Sequence, residues 1–222
     1  MEMELNHQPA ELHCWHASTR EEALRKGEYL CSLYSAFLKD GPVVDLGCGE
    51  GALLLWLKEH GRDRVLGVES NQELCGLAES WGVPLVRSDL LEYLRGNGHV
   101  PAVYFYLDVV EHLPLEVNEQ VFRSLPVGSR LIVQTPNTNS LLGHQYYLQV
   151  PSHVAPYSPH VLRGMLSRFG YTVVAEGGIG DRPLTWKNRM RAALLHRLLG
   201  LDPQMLFGGG NYFVVADRVR EA

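Results

Sequence analysis

Between Tyr106 and Pro114 the chain reads YLDVVEHLP, an apolar run that ends by setting Asp108, Glu111 and His112 within five residues. Carboxylates and an imidazole so close together suit a metal site, a general acid–base pair, or a helix start that does no chemistry. A second stretch, VVDLGCGEG, sets Asp45 ahead of Gly47, Gly49 and Gly51. Glycines there let the backbone turn tightly and approach a ligand with no side chain in the way. Two further acids, Glu69 in VLGVES and Asp89 in RSDLLEYL, follow apolar runs in the same manner. What any of these groups can do depends on the elements that hold them.

Those elements alternate. STREEALRKGEYLCSLYSAFLKDG opens with Ser18 and Glu21 at capping-box spacing, repeats apolar residues at helical intervals, and meets its stop at Gly41. Short apolar runs follow at PVVDLG, RVLGVE, VPLVRSD, AVYFYLD and SRLIVQT, separated by helical stretches such as ALLLWLKEHG and NQELCGLAESWG. Strands that are apolar without alternation belong where helices cover both sheet faces, and helical crossovers imply parallel pairing. With YTVVAEGG and NYFVVADRV as late strands, the expected fold is α/β: a doubly wound, mostly parallel seven-stranded sheet with helices on both faces. One domain is expected over 1–222. Its parts are an N-terminal helical cap (1–40), a ligand-binding core (41–177), an insertion or lid (178–210) and a final strand and tail (211–222).

Size and composition narrow the function. The 222 residues are 45% hydrophobic with a formal charge of −5, which argues against a nonspecific nucleic-acid binder. The start, MEMELNHQPAELHCWH, has neither the basic residues nor the apolar core of a secretory signal, and no apolar run is long enough to span a bilayer. Cys14, Cys31, Cys48 and Cys75 are scattered with no CxxC pair, so neither a zinc site nor a disulfide framework is signalled, and a cytoplasmic setting is expected. The His13-to-His16 stretch, HCWH, lacks a second ligand pair, and no second acidic cluster joins DVVEH to complete an octahedral oxygen shell. No metal site is therefore expected.

In open parallel sheets, ligands bind at the carboxyl ends of the strands. A dinucleotide fold prefers G-x-G-x-x-G with a pyrophosphate on the helix N-terminus, whereas this chain has G-x-G-x-G preceded by an acid. Asp45 would repel a pyrophosphate but suits an ammonium group. Glu69 can take ribose hydroxyls, and Asp89 can accept from an exocyclic adenine amine. Carboxylates at three successive strand tips suit a nucleoside with a cationic amino-acid tail and no phosphate. S-adenosyl-L-methionine is such a ligand.

Through VVDLGCGEG, VLGVES, RSDLLEYL, YLDVVEHLP and RLIVQTPN, over about residues 40 to 175, the sequence resembles the class I S-adenosylmethionine-dependent methyltransferases. DVVEHLP, TPN and HVAPYSPHVLRGMLSRFGY look most like the branch of ubiquinone-pathway O-methyltransferases and bacterial small-molecule methyltransferases. The resemblance implies that Gly47, Cys48 and Gly49 line the methionine moiety and that Glu69 binds the ribose. It sets Ser70 and Asn71 beside the adenine, Asp89 and the Leu90 backbone at the adenine edge, and Asp108 beneath the methionine portion. It also sets His112 near the transferable methyl, as a base or a substrate contact, since an unperturbed imidazole titrates near neutral pH. A loop-ordering histidine is the plain alternative. Glu111 is expected to face outward or to cap the helix after Pro114.

Three regions are expected to wall the acceptor. They are Trp15 and His16; the stretch after the fifth strand with His144, Tyr146, Tyr147, His153 and Tyr157; and the insertion. By the resemblance His153 and Tyr157 occupy a substrate-facing segment, though loop histidines often only tie down backbone. Within the insertion, TWKNRMRAALLHRLLG sets Trp186, Met190, Leu194 and Leu198 on one helical face and basic residues largely elsewhere. Such a helix can meet a membrane surface, an anionic substrate or another subunit, or pack as a lid on its own domain.

The expected activity is methylation of a small molecule, at oxygen on the resemblance. No Asp/Asn-Pro-Pro-Tyr follows the fourth strand, which disfavours nucleobase or amide nitrogen as acceptor. The alternatives are an N-methyltransferase, or a methyltransferase-like regulatory protein that binds the cofactor without transfer. A nicotinamide oxidoreductase is disfavoured by the glycine spacing and Asp45.

Overall fold

In the computed structural model, residues 16–97, 100–180, 186–199 and 208–221 are described. Seven strands form one sheet in the order β3-β2-β1-β4-β5-β7-β6. The chain divides into two compact units, Met1–Asn97 and Gly98–Ala222.

The first unit begins with α1 (Arg20–Tyr34). Its capping box lies one residue later than expected: Thr19 accepts from the Glu22 amide, and the Glu22 carboxylate takes the amides of Ser18 and Thr19. Both spacings fit the sequence. The helix buries Ala23, Gly27, Cys31 and Tyr34. Gly27 is needed at its position, because a Cβ there would collide with the Ala52 carbonyl of α2 (Ala52–Glu59). The strands β1 (Val43–Leu46), β2 (Val65–Glu69) and β3 (Leu85–Arg87) pair in parallel, Val43 opposite Val65 and Gly67 opposite Leu85. Between them run α2 and α3 (Gln72–Ser80), with α4 (Leu90–Asn97) after β3. All four β1 residues are buried, as expected for a strand covered on both faces.

The second unit holds β4 (Val103–Leu107), α5 (Leu115–Ser124), β5 (Arg130–Pro136), α6 (Leu141–Gln149), α7 (Pro159–Arg168), β6 (Tyr171–Ile179), α8 (Trp186–Leu199) and β7 (Asn211–Arg218). β4 and β5 pair in parallel, while β7 runs antiparallel to both β5 and β6. Its core is aromatic, with Tyr104, Phe105, Tyr106, Phe122 and Phe169 all buried. Arg218 lies buried among them, donating to the carbonyls of Phe122, Arg123 and Leu125. A buried cation tolerates such a place only when carbonyls satisfy it.

On α8 the apolar stripe stands open to solvent: Trp186, Met190, Leu194 and Leu198 are 67%, 63%, 56% and 67% exposed. No helix among the described residues is long and apolar enough to cross a membrane.

Candidate cofactor turn and histidine cluster

Where β1 ends, the backbone enters left-handed conformations at Gly47 (φ 78°), Gly49 (φ 57°) and Gly51 (φ 75°). Gly51 is the N-cap of α2, and a Cβ on it would lie 2.8 Å from Val83 Cγ1. A Cβ on Gly49 would lie 3.2 Å from the His16 ring. Only glycine combines these angles with that closeness.

Three acids gather around the turn. Asp45 is 5% exposed, and burial pushes its carboxyl up to about 7; Lys26 opposes this, while Glu69 and Glu50 add to it. Glu69 extends toward the loop: its Oε2 accepts from the Gly49 amide at 2.9 Å, and Oε1 accepts from Ser70 at 2.9 Å and Asn71 at 2.8 Å. Both lone-pair positions of Oε1 are thereby used, leaving one on Oε2 for a further donor. The pair of free oxygens expected for a ribose diol is therefore partly committed to backbone.

Glu50 is the third acid, and in the sequence nothing distinguishes it from a spacer between glycines. It is 1% exposed, and its Oε1 accepts from Lys26 Nζ at 2.7 Å and the Ala17 amide at 3.2 Å. His16 Nδ1 lies 2.6 Å from Oε2. Burial raises the Glu50 carboxyl, but the His16 and Lys26 contacts outweigh it and hold it down to about 2. His16, expected as an acceptor wall, thus ties the residues just ahead of α1 onto the glycine turn. Trp15, His13 and Cys14 lie outside the described residues, as do 181–185 and 200–207 of the insertion.

Further along this unit, Asn71 caps α3 through Oδ1, and Ser70 is exposed beside it. Asp89 lies two residues past β3 and caps α4, its Oδ1 accepting from the Leu91 amide at 2.8 Å. Leu90 follows at the first helical position, where an amide has no partner within its own helix. Cys48 is buried, and that burial, with Asp45 and Glu69 nearby, pushes its thiol well above the usual range.

In the second unit, Asp108 follows β4 with φ 54°, the one non-glycine described residue in the left-handed region. Its amide donates to the Gln134 carbonyl at 3.0 Å, and its Oδ2 accepts from Gln134 Nε2 at 2.6 Å. The chain then makes a short 3-10 turn over Val110–His112. Glu111 does not face outward and does not cap α5. It is 1% exposed, its Oε2 accepts from Thr135 Oγ1 at 3.0 Å, and its Oε1 is buried without a hydrogen-bond partner. Burial, then the charge on Asp108, push this carboxyl well above its ordinary range. The reason lies far downstream: the amides of Val154 and Ala155 both donate to the Glu111 carbonyl, holding the segment after α6 against this turn.

That segment brings His153 to His112, ring centroids 4.6 Å apart. His112 Nδ1 lies 3.0 Å from Ser152 Oγ, and His153 Nδ1 lies 2.8 Å from the Tyr147 carbonyl. Burial, then the neighbouring His153, push His112 down to about 4 against the opposing contact with Ser152. It is neutral at pH 7 and does not titrate where an unperturbed imidazole would. Burial likewise lowers His153, against the Tyr147 carbonyl. Tyr157, expected on the acceptor wall, is buried with its hydroxyl taking a hydrogen bond from Asn118 Nδ2 at 2.9 Å. His144 stands exposed on α6. A separate polar cavity of about 310 Å³ opens between Asn137, Asn139, His160, Arg163, Glu176 and Tyr212.

The glycine turn fits S-adenosylmethionine on one physical ground. A buried carboxyl held near 7, with two acids beside it, is short of positive charge, and the cofactor's amino-acid end brings an ammonium and a sulfonium.

Comparison with known proteins agrees. The family described as "Methyltransferase domain" matches residues 17–176. No curated protein sequence matches. Among solved structures, an S-adenosylmethionine-dependent methyltransferase from Archaeoglobus fulgidus is similar, with TM-score 0.70, 23% identity, and 90% of this chain and 94% of that chain covered. A Thermotoga maritima methyltransferase, described as a possible histamine N-methyltransferase, gives TM-score 0.63, 16% identity, and 94% coverage of each chain. Geranyl diphosphate C-methyltransferase from Streptomyces coelicolor A3(2), solved with Mg²⁺, geranyl diphosphate and S-adenosyl-L-homocysteine, gives TM-score 0.62, 16% identity, and 92% and 83% coverage. At such identities these likenesses speak for the fold, and the family match speaks for the activity class. The chain belongs to the methyltransferase domain family, and it is an S-adenosyl-L-methionine-dependent methyltransferase.

Proposed function

We propose that this protein transfers a methyl group to an oxygen atom of a small molecule, with His112 meeting the acceptor hydroxyl. S-adenosylmethionine, when bound, supplies an electrophilic methyl on a positively charged sulfur. Asp45 offsets the charge of its amino-acid end, and the turn of Gly47, Cys48, Gly49 and Gly51 accommodates the methionine chain. Glu69 takes a ribose hydroxyl through the remaining position on Oε2. Ser70 and Asn71 flank the adenine, Asp89 and the Leu90 amide meet its edge, and Asp108 supports the methionine portion.

The observation that carries the oxygen reading is the state of His112. It is half-buried and neutral, with Nδ1 against Ser152 and Nε2 as its other polar atom. A base this weak does not ionise an alcohol beforehand. It accepts the hydroxyl's hydrogen bond and takes the proton as the O–CH₃ bond forms and the sulfonium becomes a thioether, when the oxygen turns strongly acidic. His153 positions His112 from the other side. An amine acceptor, the second reading, needs no such partner. Of the proteins of similar fold, one is described as a possible histamine N-methyltransferase and another is a C-methyltransferase, so the fold leaves the acceptor atom open.

Calorimetry with S-adenosylmethionine and S-adenosylhomocysteine, followed by turnover against phenols, sugars and amines, tests the reading. Product with hydroxyl acceptors supports it. Methylation of amines alone overturns the oxygen assignment, and tight binding with no product anywhere points to a regulatory protein without transfer. His112→Ala should cut turnover far more than cofactor affinity; equal losses would make it a structural residue. A cytoplasmic setting goes with this reading, supported by scattered cysteines with no CxxC pair. The exposed stripe of α8, flanked by Lys187, Arg191 and Arg197, suits contact with an anionic membrane surface, which vesicle co-sedimentation tests.

A further inference from the structure

The YLDVVEHLP segment and the loop after α6 together assemble more than an acceptor contact. Glu111, His112 and His153 each present one ligand atom, and the three atoms lie within 4.8 Å of one another. They come from a 3-10 turn and from the loop after α6, so the grouping is a product of tertiary folding and not of local helical spacing.

Three features give the cluster the chemistry of a cation site. Glu111 Oε1 is buried without a hydrogen-bond partner, although Oε2 of the same carboxylate is held by Thr135. A buried carboxylate oxygen left unpaired is costly, and ions commonly resolve such cases. Next, the Tyr147 carbonyl can only accept, so His153 Nδ1 must carry the proton it donates. In the neutral ring, that leaves a lone pair on Nε2, which lies 3.8 Å from the unpaired Glu111 Oε1. Two acceptors face each other with nothing but a proton or a cation able to join them. Finally, each imidazole is anchored at Nδ1, one to a carbonyl and the other to Ser152 Oγ. Metal-binding histidines are held in this way, with the ring nitrogen away from the metal tied to an outer partner that orients the ring.

We propose that Glu111, His112 and His153 bind one divalent transition-metal ion. Two imidazole nitrogens and one carboxylate oxygen suit zinc, manganese or cobalt and not calcium or magnesium, which prefer all-oxygen shells. Metal–ligand bonds of about 2.0–2.2 Å require the three side chains to draw in, a matter of rotation about side-chain bonds. The remaining coordination positions are open to water or to an acceptor oxygen. On that last use, the inference rests on the oxygen reading above, and a bound ion would hold the hydroxyl in place of a free imidazole. Metal binding itself does not depend on it. The expectation of no metal rested on the lack of a second acidic cluster to join DVVEH; the partner that the fold supplies is an imidazole, His153, from the loop after α6.

The test is Co²⁺ titration of the chelator-treated full-length protein, read by visible d–d absorption and by calorimetry, with neither cofactor nor acceptor present. The expected result is one equivalent bound, at least a tenfold weaker affinity in Glu111→Gln and in His153→Asn, displacement by Zn²⁺, and no displacement by Mg²⁺ at equal concentration. S-adenosylhomocysteine affinity reports whether each variant is folded. If a variant does not fold, anomalous diffraction from Zn²⁺-soaked crystals of the unaltered protein replaces it: a peak between the three side chains supports the site, and a peak elsewhere or none overturns it. Absence of saturable Co²⁺ binding, or binding indifferent to both substitutions, also overturns it and leaves a shared proton as the link between Glu111 and His153. Metal binding without hydroxyl methylation would refute the oxygen reading alone; hydroxyl methylation without metal binding would refute the site alone.

Discussion

His16 Nδ1 lies 2.6 Å from Glu50 Oε2, joining the segment ahead of α1 to the middle of the glycine turn. Lys26, from α1, holds the other carboxylate oxygen at 2.7 Å. One buried acid thus fastens residues 16 and 17 and the first helix onto the glycine turn.

Removing that charge should loosen all three. The Glu50 carboxyl is held at about 2 against an ordinary 4.5, so its contribution to stability is full above pH 4.5 and fades as pH falls toward 2. Glu50→Gln should cost about 3 kcal/mol of unfolding free energy at pH 7, and the deficit should shrink below pH 4.5. Urea melts of both proteins across that range measure this; a deficit independent of pH would refute the assignment.

Asp45 works in the opposite sense. Its folded value of about 7 lies above the ordinary 3.8, so its contribution to stability is largest below 3.8 and is lost as pH rises through 7. A cationic ligand favours the ionised form, so cofactor affinity should rise from about pH 6 to 7.5, with release of part of a proton. Calorimetry in buffers of different ionisation enthalpy reads that proton. Asp45→Asn should bind more weakly and lose both the pH dependence and the proton release.

Glu69 already accepts three backbone hydrogen bonds, including one from Gly49. Glu69→Ala should therefore weaken S-adenosylhomocysteine by about 1.5–3 kcal/mol, through loss of the proposed ribose contact and through a looser turn. Glu69→Gln can donate as well as accept, and should retain part of the affinity. Unchanged affinity in both variants would mean that the ribose lies elsewhere.

Asn118 supports the histidine turn from beneath. Fully buried, it donates to the carbonyls of Val110 and Leu113 and to the Tyr157 hydroxyl, and accepts from Tyr106. Asn118→Ala strands several buried groups and should cost about 2–4 kcal/mol, with lower turnover and unchanged cofactor affinity. Tyr157→Phe removes one hydrogen bond and should cost about 1 kcal/mol. Denaturant melts beside turnover and calorimetry separate these outcomes.

Much of this arrangement is legible in the residues themselves. β1 reads as four apolar or turn-adjacent positions ahead of glycines, and left-handed angles at Gly47, Gly49 and Gly51 are what such spacing allows. The acids Asp45, Glu69 and Asp89 announce their places because strand ends and helix starts are set by neighbours within a few residues. The capping box of α1 is legible only to within one residue, because Ser18–Glu21 and Thr19–Glu22 satisfy the same rule. In the folded chain the Thr19–Glu22 pair makes the reciprocal bonds.

Local chemistry therefore determined the alternation of strand and helix, the glycine turn, and the acids that frame it, since each follows from backbone preference and hydrophobic spacing over short stretches. Tertiary structure alone decided which groups lost their water and which distant partners met them. It turned Glu111 inward under the loop of His153, moved His112 away from neutral titration, drew Glu50 between His16 and Lys26, and left the face of α8 in solvent. Desolvation and pairing across long stretches of chain depend on the packed fold, and no short window of sequence contains them.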